Sequence, residues 1–561
     1  MRPAPIGIDD FRTIREQGMA YVDKSHLVRE VLDQGAEVLL LPRPRRFGKS
    51  LNLSTLRCFF EKRDEDLSAL FVDLSIWQAG DAYRKHFQRH PVIYLTLKGV
   101  QFEQYEACWR AVKAKIEILF DEHRYLLDGG RMSDRESAEY REILARTAEV
   151  DIYARALGDL CRYLARHHGE KVVLLIDEYD EPIHAGYIHG YAAKILDFMR
   201  AFLTEGLKGN PHLFKAVLTS ILRVAKESIF SGLNNLAVYT LLRPEFNTCF
   251  GFTEPEVAAL LDQAGRLDRL DAVRAWYNGY VFGGTVVYNP WSILNFVASA
   301  DTKLRSYWLS TSANDLIKDM LQRYALRVEG AIEVLLEGGS IERRLDENVV
   351  LTDLPKRESA LWSLLVFSGY LKAEEVEGPL DETLPYRLSI PNREVREVYT
   401  STFRDWLSDR LGAQGGELSR LTSALLAGDA EIMEEQLQTF TMNLLSYQDT
   451  ALRPEQVYHA FVIGLLAAME PEYIVRSNRE SGTGRPDVII RPRHPGKPGA
   501  VLELKVAKPG KKTPEQAIEE GLTQIQSNEY AAELHAAGAA PVHAFVIVFD
   551  GKRVWVRAAE G

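Results

Sequence analysis

Four short apolar runs constrain this chain more than any other feature: Val38–Leu41, Pro91–Leu97, Val172–Ile176 and Phe214–Ser220. Charged, helix-periodic stretches separate them, over 103–126, 133–167 and about 190–207. Strands that lack polar alternation are covered on both faces, so such runs alternating with helices predict an α/β fold around a parallel sheet. From about 250 to 445 the pattern is mostly helical, with short strands such as Tyr386–Ile390. The order then becomes helix 455–469, strands 472–477, 485–490 and 499–506, helix 513–535, and strands 541–549 and 552–557. That is an αβββαβ layout with one extra strand, which fits a mixed sheet. At 561 residues the chain exceeds a single core, and the expected divisions are 1–249, 250–310 (a helical or winged lid), 311–450 (a mostly helical connector) and 451–561.

Composition excludes several classes. An apolar fraction of 46% and a charged fraction of 26% are those of an ordinary globular protein. No run approaches the roughly 18 uncharged apolar residues of a membrane span, so no membrane partner is expected. The first ten residues lack the apolar core of a secretory signal. Cys58, Cys108, Cys161 and Cys249 lie far apart; they read as buried free thiols in a reducing cytoplasm, without a disulfide frame or zinc site. The net charge of −11 is uneven, since residues 476–512 hold ten cations against three anions. A basic field around an acidic cluster suits a site that handles phosphodiesters, although a solvated lysine-rich loop at 494–512 accounts for about half the excess.

The first candidate site is the loop Arg43-Pro44-Arg45-Arg46-Phe47-Gly48-Lys49-Ser50. Successive backbone N–H groups and the positive end of the following helix bind phosphate oxygens. Lys49 then reaches the terminal phosphates of ATP and the Ser50 hydroxyl ligates Mg²⁺. The usual motif has glycine where this chain has Arg43. The run Val172–Ile176 ends in Asp177-Glu178, two carboxylates at a buried strand end, where charge is costly without a role. Asp177 is expected to hold Mg²⁺ and Glu178 to orient or deprotonate the attacking water. Thr219 or Ser220 is placed to contact the γ-phosphate, and Arg223 is a candidate charge stabiliser, with a surface ion pair as the plain alternative. Asp180 and Glu181 read as the start of a helix. His184 and His189 lack the companions of a metal site.

The second candidate site pairs Asp487, in Gly484-Arg485-Pro486-Asp487, with Glu503 and Lys505 in Ala500–Val506. Period-two alternation sets Glu503 and Lys505 on one face and Leu502, Leu504 and Val506 on the other. Two charges on an exposed edge are the plain alternative. P-D followed sixteen residues later by E-x-K, on adjoining strands, is the spacing of a metal-dependent nuclease. Asp487 and Glu503 would ligate Mg²⁺, Lys505 would position water or neutralise developing charge, and Glu480 is a further candidate ligand. Gln524, Gln526 and Tyr530 are candidates for steering substrate. His459 reads as a packing histidine.

Taken in order, several segments resemble the AAA-ATPase-like proteins that carry a C-terminal PD-(D/E)XK nuclease domain. They include Tyr21–Lys24, Arg43–Ser50, Leu175–Asp180, Phe230–Asn235, Gly251–Glu254 and Trp276–Tyr280. Tyr288–Ser292, Tyr307-Trp308, Gly369–Leu371, Ile390–Asn392, Gly484–Asp487 and Glu503–Lys505 continue the series. In that family an R-P-R-R-F-G-K-S loop replaces the glycine-first loop, so the resemblance accounts for Arg43. Ser220 departs from it, glycine being the family residue there. The resemblance implies a P-loop NTPase sheet over 1–249 and a restriction-endonuclease-like domain over 451–561. It further implies an ATPase joined to a nuclease, in defence or mobile-element biology.

The expected function is ATP binding and hydrolysis, through Arg45, Arg46, Phe47, Gly48, Lys49, Ser50, Asp177, Glu178, Thr219 and Arg223, coupled to Mg²⁺-dependent cleavage of nucleic acid, DNA in the first instance. A nucleotide-dependent homo-oligomer is compatible with it. Two alternatives are a regulatory ATPase switch that gates the nuclease as an effector, and a non-cleaving DNA-binding scaffold. Trp276, Tyr277 and Trp291 could stack on bases, against the plainer reading of core packing.

Overall fold

A computed structural model describes residues 2–221, 235–308, 338–347, 357–376, 385–399, 416–444, 472–477, 486–507, 512–527 and 531–559, with scattered positions between 331 and 349 and between 458 and 469. These residues form two compact units, 1–312 with 342–395 and 313–341 with 396–561.

The first unit is built on five parallel strands, β1 (Val38–Pro42), β2 (Val92–Thr96), β3 (Val172–Asp177), β4 (Leu213–Ser220) and β5 (Leu236–Val238), in the order β2-β3-β4-β1-β5. Val38, Leu40, Val172, Leu174 and Ile176 face one apolar core, shared with helices Tyr105–Glu122, Val150–His168 and Ala192–Leu207. Leu39, Leu41, Val173 and Leu175 alternate with them and are equally buried, and helix Lys49–Phe60 packs against the sheet. Along the chain β2 separates the phosphate loop from the acidic strand, but in space β4 does, with β2 beyond β3. The helical stretch 133–167 is two helices, Asp134–Leu144 and Val150–His168. Arg146 turns the chain between them at φ 57°, a break that no glycine or proline marks in the sequence.

Over 250–310 the same unit holds helices Glu254–Gln263, Leu270–Tyr277 and Pro290–Ala298, with an antiparallel hairpin of Tyr280–Phe282 and Thr285–Val287. Many of the recurrent motifs are structural joints here. Lys24 is buried and bonds Glu256 and the Thr248 carbonyl, while Asn289 caps helix Pro290–Ala298. Gly279 sits at φ 123°, where a Cβ would lie 2.0 Å from the Pro391 carbonyl oxygen. Trp-Tyr-Asn-Gly-Tyr and Ile-Pro-Asn therefore meet because only glycine admits that approach.

In the second unit five strands form a mixed sheet in the order Tyr473–Ser477, Val488–Pro492, Gly499–Val506, Val542–Asp550, Arg553–Ala558. The pair Gly499–Val506 and Val542–Asp550 is parallel, and the other neighbours are antiparallel. Phe545, Ile547 and Phe549 face a core shared with helices Gly416–Ala427 and Ala430–Leu444. Val546 and Val548 face helix Pro514–Ser527 on the other side. The helical stretch predicted over 513–535 is described as Pro514–Ser527 and Ala532–Ala536.

Candidate functional site

The loop 43–48 joins β1 to helix Lys49–Phe60, turning through Arg46 at φ 68° and Gly48 at φ 80°. β4 lies between β1 and β3, which aligns Ser50, Thr219 and Asp177 at the carboxyl end of the sheet, where open α/β folds bind ligands. Ser50 Oγ donates to one oxygen of Asp177 and Thr219 Oγ1 to the other, each at 2.6 Å. Asp177 is 1% exposed. Burial and the neighbouring Glu178 push its carboxyl upward, against the two hydroxyl donors and Lys49. Lys49 is 5% exposed and donates to the Arg43 and Pro44 carbonyls. Burial lowers its pKa, opposed by Glu178, Asp177 and Asp180. Glu178 occupies the left-handed region at φ 52°, and its Oε2 is buried without a hydrogen-bond partner among the described residues. Non-glycine residues held there concentrate at functional sites.

Arg43 is a buried strut. It is 0% exposed, and its guanidinium donates to the carbonyls of Pro42, Tyr239 and Phe246. It also lies over the rings of Phe250 and Phe282, at 5.0 and 5.5 Å. Phe47 packs against Tyr280 and Phe282, and Gly369 passes within 3.0 Å, measured from an added Cβ, of Pro44. The phosphate loop is thus clamped to the segment 239–282 instead of turning on a flexible glycine. Arg43→Gly, although it restores the common motif, is expected to destabilise the protein by about 3 kcal/mol, because it strands buried carbonyls and opens a cavity. Urea unfolding followed by tryptophan fluorescence checks this, and an unchanged midpoint would refute the strut.

His26, Glu30 and Cys249 bring a ring nitrogen, a carboxylate oxygen and a thiol within 4.8 Å of one another. Each is engaged: Cys249 Sγ donates to Glu30 Oε1, Phe246 N to Glu30 Oε2, and His26 Nε2 meets Thr248 Oγ1. This group fastens the turn that receives Arg43.

Asp180 and Glu181 do open helix Glu181–Ile188, but their carboxylates also tie the site together. Asp180 Oδ2 accepts from Ile221 N, at the end of β4, and Glu181 Oε2 from Gly99 N, beyond β2. Nothing in one-dimensional spacing singles out Glu181, whose backbone donor comes from the turn after β2. Trp291 and Tyr277 pack within the unit. The Trp291 Nε1–H donates to the Tyr307 carbonyl, the Arg46 guanidinium lies 4.1 Å over its ring, and Tyr277 is fully buried. The Ser220 side chain is buried, and its carbonyl accepts from Arg43 N.

In the second unit Glu503 and Lys505 lie on Gly499–Val506, the middle strand of the sheet and not an edge. The register pairs Val488 with Leu502, so Asp487 falls beside Glu503 one step further on. Asp487 Oδ2 accepts from Leu504 N at 2.7 Å, and Lys505 Nζ donates to Glu503 Oε1 at 2.7 Å. Glu503 is 3% exposed, and its Oε2 is buried without a hydrogen-bond partner among the described residues. Burial, then the charge of Asp487, raises its pKa, with Lys505 opposing. Two adjacent carboxylates with an orphaned oxygen form a hard, all-oxygen donor set that fits Mg²⁺ or Mn²⁺. Helix Pro514–Ser527 carries Gln524 half-buried and Gln526 exposed. Arg223, Phe230–Asn234, His459, Glu480, Arg485 and Tyr530 lie outside the described residues.

A parallel sheet with a lysine-bearing phosphate loop, and a mixed sheet presenting Asp and Glu-x-Lys, define a chain of two enzyme-type domains, P-loop NTPase and restriction-endonuclease-like. Residues 5–230 match the family described as predicted AAA-ATPase, and residues 453–559 match the PD-(D/E)XK nuclease superfamily. A protein of Azotobacter chroococcum mcd 1, described as an uncharacterized protein in the vnfD 5′ region, is 31% identical over 396 residues, which span 70% of this chain and 68% of that relative. The chain belongs to this AAA-ATPase-like family with a PD-(D/E)XK nuclease superfamily domain. No helix among the described residues is long and apolar enough to cross a membrane.

Proposed function

We propose that the chain hydrolyses ATP and uses its nucleotide state to control cleavage of phosphodiester bonds in nucleic acid, with DNA as the substrate. The observation that carries this reading is the convergence of Ser50 and Thr219 on the buried Asp177, beside a buried Lys49. Lys49 offsets charge on the terminal phosphates, and Thr219 reads the γ-phosphate end through Asp177. Glu178 orients the attacking water and accepts its proton. Ser50 and Asp177 in the first site, and Asp487 with Glu503 in the second, are the residues that would hold Mg²⁺. When bound there, the ion neutralises phosphate charge and lowers the pKa of water. In the nuclease domain Lys505 holds Glu503 in place and offers its ammonium to charge developing on the phosphate.

The test is cleavage of plasmid and single-stranded DNA in Mg²⁺ or Mn²⁺, with and without ATP, for wild type and Lys49→Ala. Wild type is expected to cut at a rate that ATP changes. Lys49→Ala is expected to cut at one rate whether ATP is present or not. An equal ATP response in both proteins would refute nucleotide control. Slow turnover unaffected by DNA would mark a switch, and DNA-stimulated turnover a motor.

A further inference from the structure

Helix His26–Asp33 carries His26 and Glu30 one turn apart on one face, beside the turn that holds Cys249. Their donor atoms and the thiol sulfur, an N/O/S set, all lie within 4.8 Å of one another. Cys249 is 0% exposed, while His26 and Glu30 are half-buried. Asn52 fixes the Cys249 backbone, its Nδ2 donating to the carbonyl at 2.8 Å. The contacts between the three donors and their neighbours are mostly weak. A thiol is a poor donor; its sulfur stands 3.3 Å from Glu30 Oε1, and His26 Nε2 meets Thr248 Oγ1 at 3.3 Å. Only Glu30 Oε2 is firmly held, by Phe246 N at 2.7 Å, which leaves Oε1 to the sulfur.

We propose that His26, Glu30 and Cys249 form a binding site for a borderline-soft divalent metal ion, Zn²⁺ by its chemistry, with water completing the shell. Around a tetrahedral Zn²⁺ such donors stand about 3.3–3.7 Å apart, so this set needs to close by only about 1 Å. Half-buried His26 and Glu30 make that adjustment by side-chain rotation, toward a sulfur whose backbone stays in place. Nitrogen and sulfur donors select Zn²⁺ or Co²⁺ over Mg²⁺, which separates this group from the oxygen sets at Ser50 with Asp177 and at Asp487 with Glu503. On binding, the Cys249 S–H bond breaks, its proton passes to water, and the sulfur lone pair goes to the metal. The group therefore gains a single positive charge, and Lys24 beside it is already paired with Glu256 at 2.7 Å. The ion joins Glu30 to a residue 219 positions away along the chain. That turn supplies the Phe246 carbonyl and the Phe250 ring that receive Arg43, so the site braces the clamp on the phosphate loop. The same separation hides it in the sequence, where Cys249 stands without a neighbour at metal-ligand spacing.

Cobalt titration of the full chain, stripped with EDTA and dialysed, tests this, because Co²⁺ takes the same ligands and reports on them spectroscopically. Wild type is expected to gain a near-ultraviolet thiolate-to-cobalt band that Zn²⁺ erases and about a hundredfold excess of Mg²⁺ does not. Cys249→Ser should lack the band, and Cys58→Ser should keep it. His26→Ala and Glu30→Gln should each weaken Co²⁺ binding by about tenfold or more while retaining the sulfur. Wild type without the band, or Cys249→Ser with an undiminished one, would overturn the site. Should Cys249→Ser not fold, His26→Ala decides, since it removes a half-buried ring and no core side chain; wild-type affinity in that variant overturns the proposal. Thermal melts give a second readout. Saturating Zn²⁺ should raise the melting temperature of wild type over EDTA by about 3 °C or more, and that of His26→Ala by less than about 1 °C. Equal rises in both proteins would mark adventitious metal only and overturn the proposal. Neither readout uses ATP turnover or cleavage, so the site stands or falls apart from the proposed function.

Discussion

Replacing Lys505 with alanine is expected to slow phosphodiester cleavage by about a hundredfold or more while leaving the fold intact. Its ammonium is partly exposed, on the face of the middle strand opposite Leu502, Leu504 and Val506, and its hydrogen bond goes to Glu503 Oε1. Truncation therefore removes no core contact. It leaves Glu503, already pushed upward by burial and Asp487, without the cation that opposes that shift. Lys505→Arg should not rescue activity fully, since a planar guanidinium replaces a compact point charge. Nucleic-acid binding measured in Ca²⁺ should stay within about threefold of wild type, because one contact among several phosphate contacts is lost. Gel assays of plasmid nicking, alongside thermal melts, separate these effects. Cleavage at the wild-type rate would remove Lys505 from the chemistry.

Asp177→Asn carries the second large effect, with opposite signs for activity and stability. ATP turnover should fall by about a hundredfold or more, since the carboxylate that meets Ser50 and Thr219 loses its charge. The ligand-free protein should nevertheless melt higher than wild type at neutral pH. Burial and Glu178 raise the Asp177 carboxyl above its ordinary 3.8, so the stability it contributes is complete below that value and is lost as pH climbs through the folded pKa. A neutral isostere avoids the loss, and the stabilisation of Asn over Asp should vanish in acid. Melting curves at about pH 4 and pH 8, in EDTA, check the sign. Unstable Asn protein at pH 8 would show that the hydroxyl network outweighs charge burial. A functional carboxylate held at a cost to stability is the expected trade-off at an active site.

Several features were legible in one dimension because they depend on local chemistry. Apolar runs of four to seven residues marked β1 to β4, and Gly48-Lys49-Ser50 marked the loop. Asp177-Glu178 stood out because charge at the end of a buried strand demands a reason. Alternation along Ala500–Val506 set Glu503 and Lys505 on the face away from Leu502 and Leu504. The motif Pro486-Asp487 supplied the remaining acid.

What lay beyond the sequence was the strand order, the register and the hydrogen bonds that join distant segments. Strand order placed β4 between β1 and β3, which brought Thr219 onto Asp177. Antiparallel register set Asp487 beside Glu503, and a slip of one residue would have turned it to the opposite face. Arg43, a residue that breaks the common motif, became intelligible only once its guanidinium was seen on the carbonyls of Tyr239 and Phe246. Glu181 read as an ordinary helix start until Gly99 arrived from beyond β2. Side-chain periodicity and turn chemistry act over a few residues, so the sequence by itself determined the elements and most of the chemical groups. Hydrogen bonds between segments 17 to 203 residues apart are made only after the sheets close, so the exact pairing of those groups within the sites belonged to the tertiary structure.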